Sequence, residues 1–401
     1  MRDVGTNGGK AAAFSFDLAR SIVYMRQGNP DWIEQERDGK PPLRPGDLFF
    51  GNASHDPQPD WIDLSKVAIP QADEKQRLLA NLIITMNSGR KLLPRFWYFP
   101  KDHKAAIVMT GDDHGNNGTA GRFEQYRAYS EPGGSVEDWE TIRSTSYIFP
   151  STPLTHAQAA AYHADGFEIG LHLDTDCKSY TAETFDTLFT EQIAQWKTKY
   201  PSLPPPVTHR IHCIAWAGYI VAPEAGLRHG IRLDVNYYYW PGEWVANRPG
   251  FFTGSGMPMR FASADGIAID VYQAATQMTD ESEQTYPEFV NALLDKALGP
   301  EGYYGAFVAN MHTDVNPLPD SDSIVTAAIQ RGVPVISARQ LLTWIDARNG
   351  SAIKEINRSS ASQTFSIQTD SQARGLRVMV PVPDGNRINE VEFNGTAISF
   401  K

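Results

Sequence analysis

The sequence predicts an α/β fold built on a parallel sheet, and three observations predict it. Four apolar runs of strand character, at 105–114, 166–176, 207–213 and 305–314, each end in side chains able to do chemistry. Apolar residues at helical spacing recur between them, near 156–164, 181–200 and 286–298, and strands alternating with helices make βα units. After Asn349-Gly350 the pattern changes to short runs at 364–369, 377–381 and 391–393, separated by Gly and Asp-Gly turns. That change reads as a small antiparallel β module.

The elements follow in chain order. Residues 11–16 read as a strand and 17–27 as a helix. Such a unit cannot bury itself alone, so it looks like the tail of an upstream α/β domain or an extension wrapped onto the main one. Residues 28–70, rich in Pro, Gly, Asp and Trp, read as an ordered but irregular extension. The spacing over 72–87, with Gly89 after it, predicts a helix with its stop. Residues 94–100 link to the first strand of the main domain. The stretch 116–150 reads as a long insertion around the turn Glu131-Pro132-Gly133-Gly134, a loop able to cover a site. A helix over 323–332, a strand over 333–337 and a helix over 338–348 close the domain. Three parts result: an extension over 1–103, a main domain over 104–348 and a β module over 349–401.

The chemistry starts at Asp112-Asp113. Burying one carboxylate costs free energy, and burying two neighbours costs more unless a cation or strong donors compensate. A strand tip ending in Asp-Asp predicts a metal site in which one carboxylate binds and the other accepts a proton; a helix cap plus a solvated turn acid is the alternative. The second run delivers His172, Asp174 and Asp176, and the fourth delivers His312. In the third, extended alternation places Arg210 and His212 on one face and His209 on the other. Parallel α/β sheets and barrels assemble their chemistry at the carboxyl ends of strands, so the four runs predict one site.

In order and character these segments resemble the polysaccharide deacetylase family, metal-dependent enzymes that remove acetyl groups from sugars. The family's Thr-Phe-Asp-Asp-Gly stands here as Thr110-Gly111-Asp112-Asp113-His114. Its His-Ser/Thr-x-x-His, with a Gly-x-Glu-Ile-Gly lead, stands as Gly166–Gly170 followed by His172 and, in place of the second histidine, Asp176. Arg-x-Pro-Tyr appears as Arg210-Ile211-His212-Cys213, the Asp-plus-aromatics motif as Asp234 to Trp240, and the closing strand-His as Val308 to His312. The resemblance covers roughly 104–345 and implies a distorted (β/α) barrel with a divalent metal ion, zinc above all.

By that resemblance Asp113 and His172 hold the metal. The third ligand is His212, preferred because it shares a strand face with Arg210, or Asp176. Asp112 is the general base and Arg210 its electrostatic partner. His312 is the general acid and Asp234 orients it. The backbone N–H of Cys213 serves the oxyanion. The aromatic content and the position of Trp216, Tyr237 and Trp240 beside the motifs give two readings: core packing for any one ring, and sugar-stacking surface from the group. The implied reaction is hydrolysis of N- or O-linked acetyl groups on a carbohydrate. The altered second motif leaves two other readings open, a catalytically inactive glycan-binding relative and a hydrolase of another amide on the same fold.

Composition sets outer bounds. With 36 basic against 47 acidic residues the net charge is −11, which argues against nucleic acid or an anionic membrane surface as partner. No run of 18 apolar residues exists to span a membrane. Cys177 and Cys213, the two cysteines, flank proposed site segments and read equally as a disulfide or as buried thiols. No secretion signal precedes Arg2-Asp3-Val4-Gly5, and an extracytoplasmic address is expected from the resemblance alone. Gly5–Lys10 has the wrong spacing for a phosphate loop. His55, His103, His156, His163, His209 and His229 read as structural or surface residues.

Overall fold

The computed structural model describes residues 1–4, 6, 8–49, 62–88, 92–359, 362–382 and 385–401. His55, Gly89 and part of the irregular extension lie outside the described residues. The main sheet has ten strands: β1 (Ala105–Asp113), β2 (Thr145–Ile148), β3 (Glu168–Leu173), β4 (Thr208–Ile211), β5 (Leu233–Asp234), β6 (Met259–Ala262), β7 (Ala268–Gln273), β8 (Thr276–Thr279), β9 (Gly305–Asn310) and β10 (Val335–Ile336). Their order is β8-β9-β1-β2-β3-β4-β5-β7-β6, with β10 also paired to β1. Every pairing is parallel except β6 with β7. A parallel bridge from Tyr238, just beyond β5, to Thr276 at the start of β8 brings the row round on itself. The sheet therefore curls into a distorted (β/α) barrel, closed through the bent strand that runs from β7 into β8.

Helices α1 (Leu18–Gln27), α2 (Gln71–Asn87), α3 (Thr119–Arg127), α4 (His156–Ala164), α5 (Ala182–Lys199), α6 (Val221–Arg228), α7 (Gly242–Val245), α8 (Glu288–Leu298), α9 (Pro319–Gln330) and α10 (Ala338–Gly350) complete the fold. Strong local signals set several of them. Thr155 with Gln158, Thr181 with Thr184 and Ser337 with Gln340 each form a reciprocal cap at the start of α4, α5 and α10. On α5, Phe185, Phe189, Ile193 and Trp196 fall at i, i+4, i+8 and i+11 and are buried.

Strand β1 is buried throughout because both of its faces are covered. Ala105, Ile107 and Met109 join the larger apolar cluster, with Phe123 and Ile193 of the helical layer. Ala106 and Val108 join a second cluster with Tyr147, Leu233 and Val308, contributed by other strands. This parity decides where the acids at the tip of β1 point.

Several expectations need correction. The stretch 116–150 is not one long loop; it contains α3 and β2. Both hide from hydrophobic periodicity because their buried positions are partly polar: Thr119 and Arg122 in α3, Thr145 and Ser146 in β2. Strands β6, β7 and β8 were not anticipated, and β8 is buried with the sequence Thr-Gln-Met-Thr. The third run leaves strand geometry after Ile211; His212–Ile214 is a 3-10 turn with Cys213 at φ 55°.

Near the amino end, Gly9–Ala11 pairs with Arg2–Val4, and α1 begins at Leu18 with the Asp17 carboxylate accepting from the Arg20 N–H. Helix α1 is wrapped onto the barrel: the buried Arg26 donates to Gln273 Oε1 at 2.9 Å and Met257 O at 2.6 Å. At the carboxyl end a hairpin, Ala352–Arg358 with Gln363–Gln368, contains a strand the sequence did not announce. Val378–Met379 pairs with Arg95–Phe96, and Glu392–Phe393 with Thr396–Ala397. Among the described residues no helix is long and apolar enough to cross a membrane.

Candidate active site

The parity of β1 carries Thr110 and Asp112 into the barrel mouth and turns Asp113 toward the helices. Asp112 Oδ1 lies 3.2 Å from Arg210 Nε, and Asp112 Oδ2 accepts from Asn310 Nδ2 at 2.8 Å. Arg210 is held by the Val235 carbonyl and by the hydroxyls of Thr276 and Thr110. His172 Nδ1 stands 4.0 Å from Asp112 Oδ1, and His312 Nε2 stands 3.8 Å from Oδ2. Burial opposes charge on Asp112, yet His172, Arg210, His312 and the Asn310 amide outweigh it and hold the carboxyl below its ordinary value. Burial also pushes His172 down to about 3. At neutral pH His172 is therefore uncharged, and the cations facing this carboxylate are the Arg210 guanidinium and the His312 imidazolium.

Asp113 goes elsewhere. Its Oδ1 accepts from the Gly115 and Asn117 N–H groups, and its Oδ2 from the Thr119 N–H and Oγ1. The side chain is fully buried and ties the turn after β1 to the first residue of α3, so the structure does not bring it to His172 as a ligand. Removing charge here costs fold stability. We expect Asp113→Asn to lower unfolding free energy by about 1–3 kcal/mol, read by denaturant titration.

His114, next in the chain, turns back into the mouth. Its ring centre lies 5.2 Å from His172, 5.0 Å from His212 and 5.4 Å from His312, and the His172 and His212 centres are 5.5 Å apart. His114 Nδ1 meets Asp314 Oδ2 at 2.5 Å. That bond, ahead of an opposing burial effect, raises the pKa of His114. His172 Nε2 is buried with no hydrogen-bond partner among the described residues. His212 Nδ1 makes no hydrogen bond among the described residues and lies 3.4 Å from Asp174 Oδ1; burial and the neighbouring His114 lower its pKa. Asp176 points outward, 76% exposed and paired with Lys178, away from the cluster.

His312 is set by Asp280, not by Asp234. Its Nδ1 lies 2.7 Å from Asp280 Oδ1, and its backbone N–H donates to Oδ2 at 3.0 Å. Asp234 instead accepts from Asn236 and meets His209 Nε2 at 2.9 Å, all three fully buried. Burial pulls His312 down, but Asp280, Asp112 and Glu281 outweigh it and raise it to about 9. A raised imidazole pKa stabilises the fold fully below about 6.5, and that contribution fades as pH climbs through about 9. In Asp280→Asn, we expect the His312 titration midpoint in the metal-free protein to fall toward about 6.5, followed by NMR of the imidazole protons.

The aromatic residues expected to stack on sugar belong to the core. Trp216, Tyr237 and Trp240 are 3%, 0% and 0% exposed; Trp216 packs on Tyr237, and Trp240 on Phe49 and Phe252. Tyr238 is the ring of that run that reaches the site, its hydroxyl accepting from Asn310 Nδ2 at 2.9 Å. Cys213 forms a disulfide with Cys177, which ties the turn after β4 to the loop after β3.

The ring centres of His114, His172 and His212 lie 5.0–5.5 Å apart, but their nitrogens do not all fall within 4.8 Å of one another, so holding one ion there takes a change in side-chain geometry. The donor types fit a divalent metal: imidazoles, with an unpartnered buried nitrogen on His172, beside an ionised carboxylate. Among the described residues, the groups whose ligand atoms do lie that close are Cys177-His212-Cys213 and Glu36-Asp38-Asp47. In the first the sulfurs are bonded to each other. In the second Asp47 is occupied by the N–H groups of Arg37, Asp38 and Arg44.

No family model and no curated protein matches the chain. The solved structures it is similar to include two carbohydrate esterases of family 4 and a pseudoenzyme of that family. They include a family 4 acetyl xylan esterase from Clostridium thermocellum in complex with a cobalt ion, 14% identical over 59% of this chain and 90% of that one, TM-score 0.33. PdaA of Bacillus subtilis, a family 4 carbohydrate esterase, is 10% identical over 73% of this chain and 94% of that one, TM-score 0.36. A mutant of a CE4 family pseudoenzyme is 10% identical over 61% and 71%, TM-score 0.38. The functional reading rests on the side chains of the site.

Proposed function

We propose that this chain is a metal-assisted hydrolase that removes acetyl groups from a carbohydrate, with Asp112 as general base and His312 as general acid. The observation that carries the reading is the pairing of opposite roles. Asp112, held by Arg210 and Asn310, and His312, held by Asp280, stand 3.8 Å apart at the mouth of the barrel. Two titratable groups whose environments push their pKa values apart make an acid and base pair. The substrate class is supported by the five ordered motifs of the sequence.

In this reading Asp112 takes a proton from water as the oxygen bonds to the acetyl carbonyl carbon. Arg210 and Asn310 hold the carboxylate in position. When the carbon–nitrogen or carbon–oxygen bond breaks, His312 gives its proton to the departing sugar atom, and Asp280 stabilises the imidazolium until then. His114, His172 and His212 would hold the metal. A bound divalent ion supplies Lewis acidity, lowering the pKa of water to about 7 and polarising the carbonyl. The Cys177–Cys213 disulfide supports an extracytoplasmic address.

Acetate release tests the proposal. Protein reloaded with zinc should release acetate from N-acetylated chitooligosaccharide or acetylated xylan. Chelation should abolish that release and reloading restore it. A folded, zinc-loaded protein that releases acetate from neither substrate would overturn the reading.

A further inference from the structure

We propose that the metal donors of this chain are three imidazoles, His114, His172 and His212, and that Asp113 serves the fold and not the metal. The proposal rests on the metal dependence of the reading above and departs from the ligand set that the motifs imply, which includes an aspartate.

The argument is one of places already taken. A carboxylate offers about four lone-pair positions. Asp113 meets four donors, two on each oxygen, all from the turn after β1 and the start of α3. Nothing is left on it for a cation, and the parity of β1 aims it at the helical layer. The other candidate acid, Asp176, is exposed and paired with Lys178. Both carboxylates that the motifs offer as ligands beside His172 are thus spoken for, and Asp112 faces Arg210 and Asn310.

The position left open is filled from the same chain segment. His114 follows Asp113 directly and brings its ring centre to 5.0–5.2 Å from His212 and His172. Its Nδ1 faces Asp314 Oδ2, which leaves Nε2 for a ligand. A carboxylate behind an imidazole is the arrangement that orients metal-bound histidines. His172 is set in the same way: Nδ1 lies 3.2 Å from the Arg210 carbonyl, and the buried Nε2 has no partner among the described residues. Three neutral nitrogen donors have a consequence for selectivity. Such a set suits zinc, cobalt, nickel and copper and holds oxygen-seeking magnesium, calcium and manganese weakly.

Binding of metal alone to the full-length protein tests the proposal without reference to turnover. Calorimetric zinc titration should show one site. His114→Ala should weaken it by more than the roughly 10- to 100-fold typical of changes behind a ligand, while Asp113→Asn should lower thermal stability and leave zinc affinity within about threefold. The copper(II) form of the parent protein should show electron paramagnetic resonance coupling to three imidazole nitrogens, a readout that holds even if Asp113→Asn fails to fold. Coupling to two nitrogens, or full zinc affinity in His114→Ala, overturns the donor set. Acetate release with a two-nitrogen signal would remove this proposal and keep the deacetylase reading; a three-nitrogen signal with no acetate release would do the reverse.

Discussion

Asp112→Asn and His312→Ala should each lower turnover of an acetylated oligosaccharide by at least about 100-fold, the lower end of what a positioned acid or base contributes. The two losses have different origins. Asparagine at 112 keeps the shape and the contact with Asn310 but cannot take a proton, and it leaves the buried Arg210 without its carboxylate. Removing one partner of a buried ion pair costs about 3–5 kcal/mol; the hydroxyl and carbonyl partners of Arg210 put this site toward the lower end. Alanine at 312 removes the proton donor and frees Asp280, which is only partly buried, so its stability cost is smaller. Acetate release and denaturant titration, run on zinc-loaded parent and variants, separate the effects. Near-parental turnover in either variant would show that the roles are misassigned.

Trp240→Ala should produce the second large effect, on stability. The indole is fully buried among Phe49 at 5.3 Å, Phe252 at 4.2 Å and Trp244 at 5.9 Å. Truncating a buried tryptophan costs about 3–5 kcal/mol, a large share of the roughly 5–15 kcal/mol that holds a typical protein together. Trp240→Phe keeps most of the apolar volume and should leave KM for the acetylated substrate unchanged. A rise in KM in Trp240→Phe, with stability intact, would return Trp240 to the substrate path.

Much of the architecture was legible because it is written in apolar residues. The runs ending at Asp112, His172, Arg210 and His312 are strands or strand ends at one mouth of the barrel. Helices α4, α5 and α8 carry the spacing expected of them. What escaped is polar and buried. Strand β8 reads Thr-Gln-Met-Thr, so Asp280 just beyond it had no strand to announce it, and Asp234 was given its task. Asp113 and His114 show a different failure. Alternation from Val108 through Thr110 and Asp112 already implied that Asp113 faces outward, but the motif resemblance assigned it to the metal. The cap alternative for one of the two acids describes what Asp113 does. For Trp216, Tyr237 and Trp240 the sequence leaves core packing and stacking surface both open; their neighbours Phe49, Phe252 and Phe261, distant in sequence, make them core.

The convergence of four strand ends on one cation is tested most directly by anomalous diffraction from crystals grown with zinc. The expected result is a single strong peak among His114, His172 and His212, with the Asp112 carboxylate and His312 beside it and Asp113 still bonded to Thr119. A peak at Glu36-Asp38-Asp47 or at the Cys177–Cys213 pair, with none at the barrel mouth, would contradict the account.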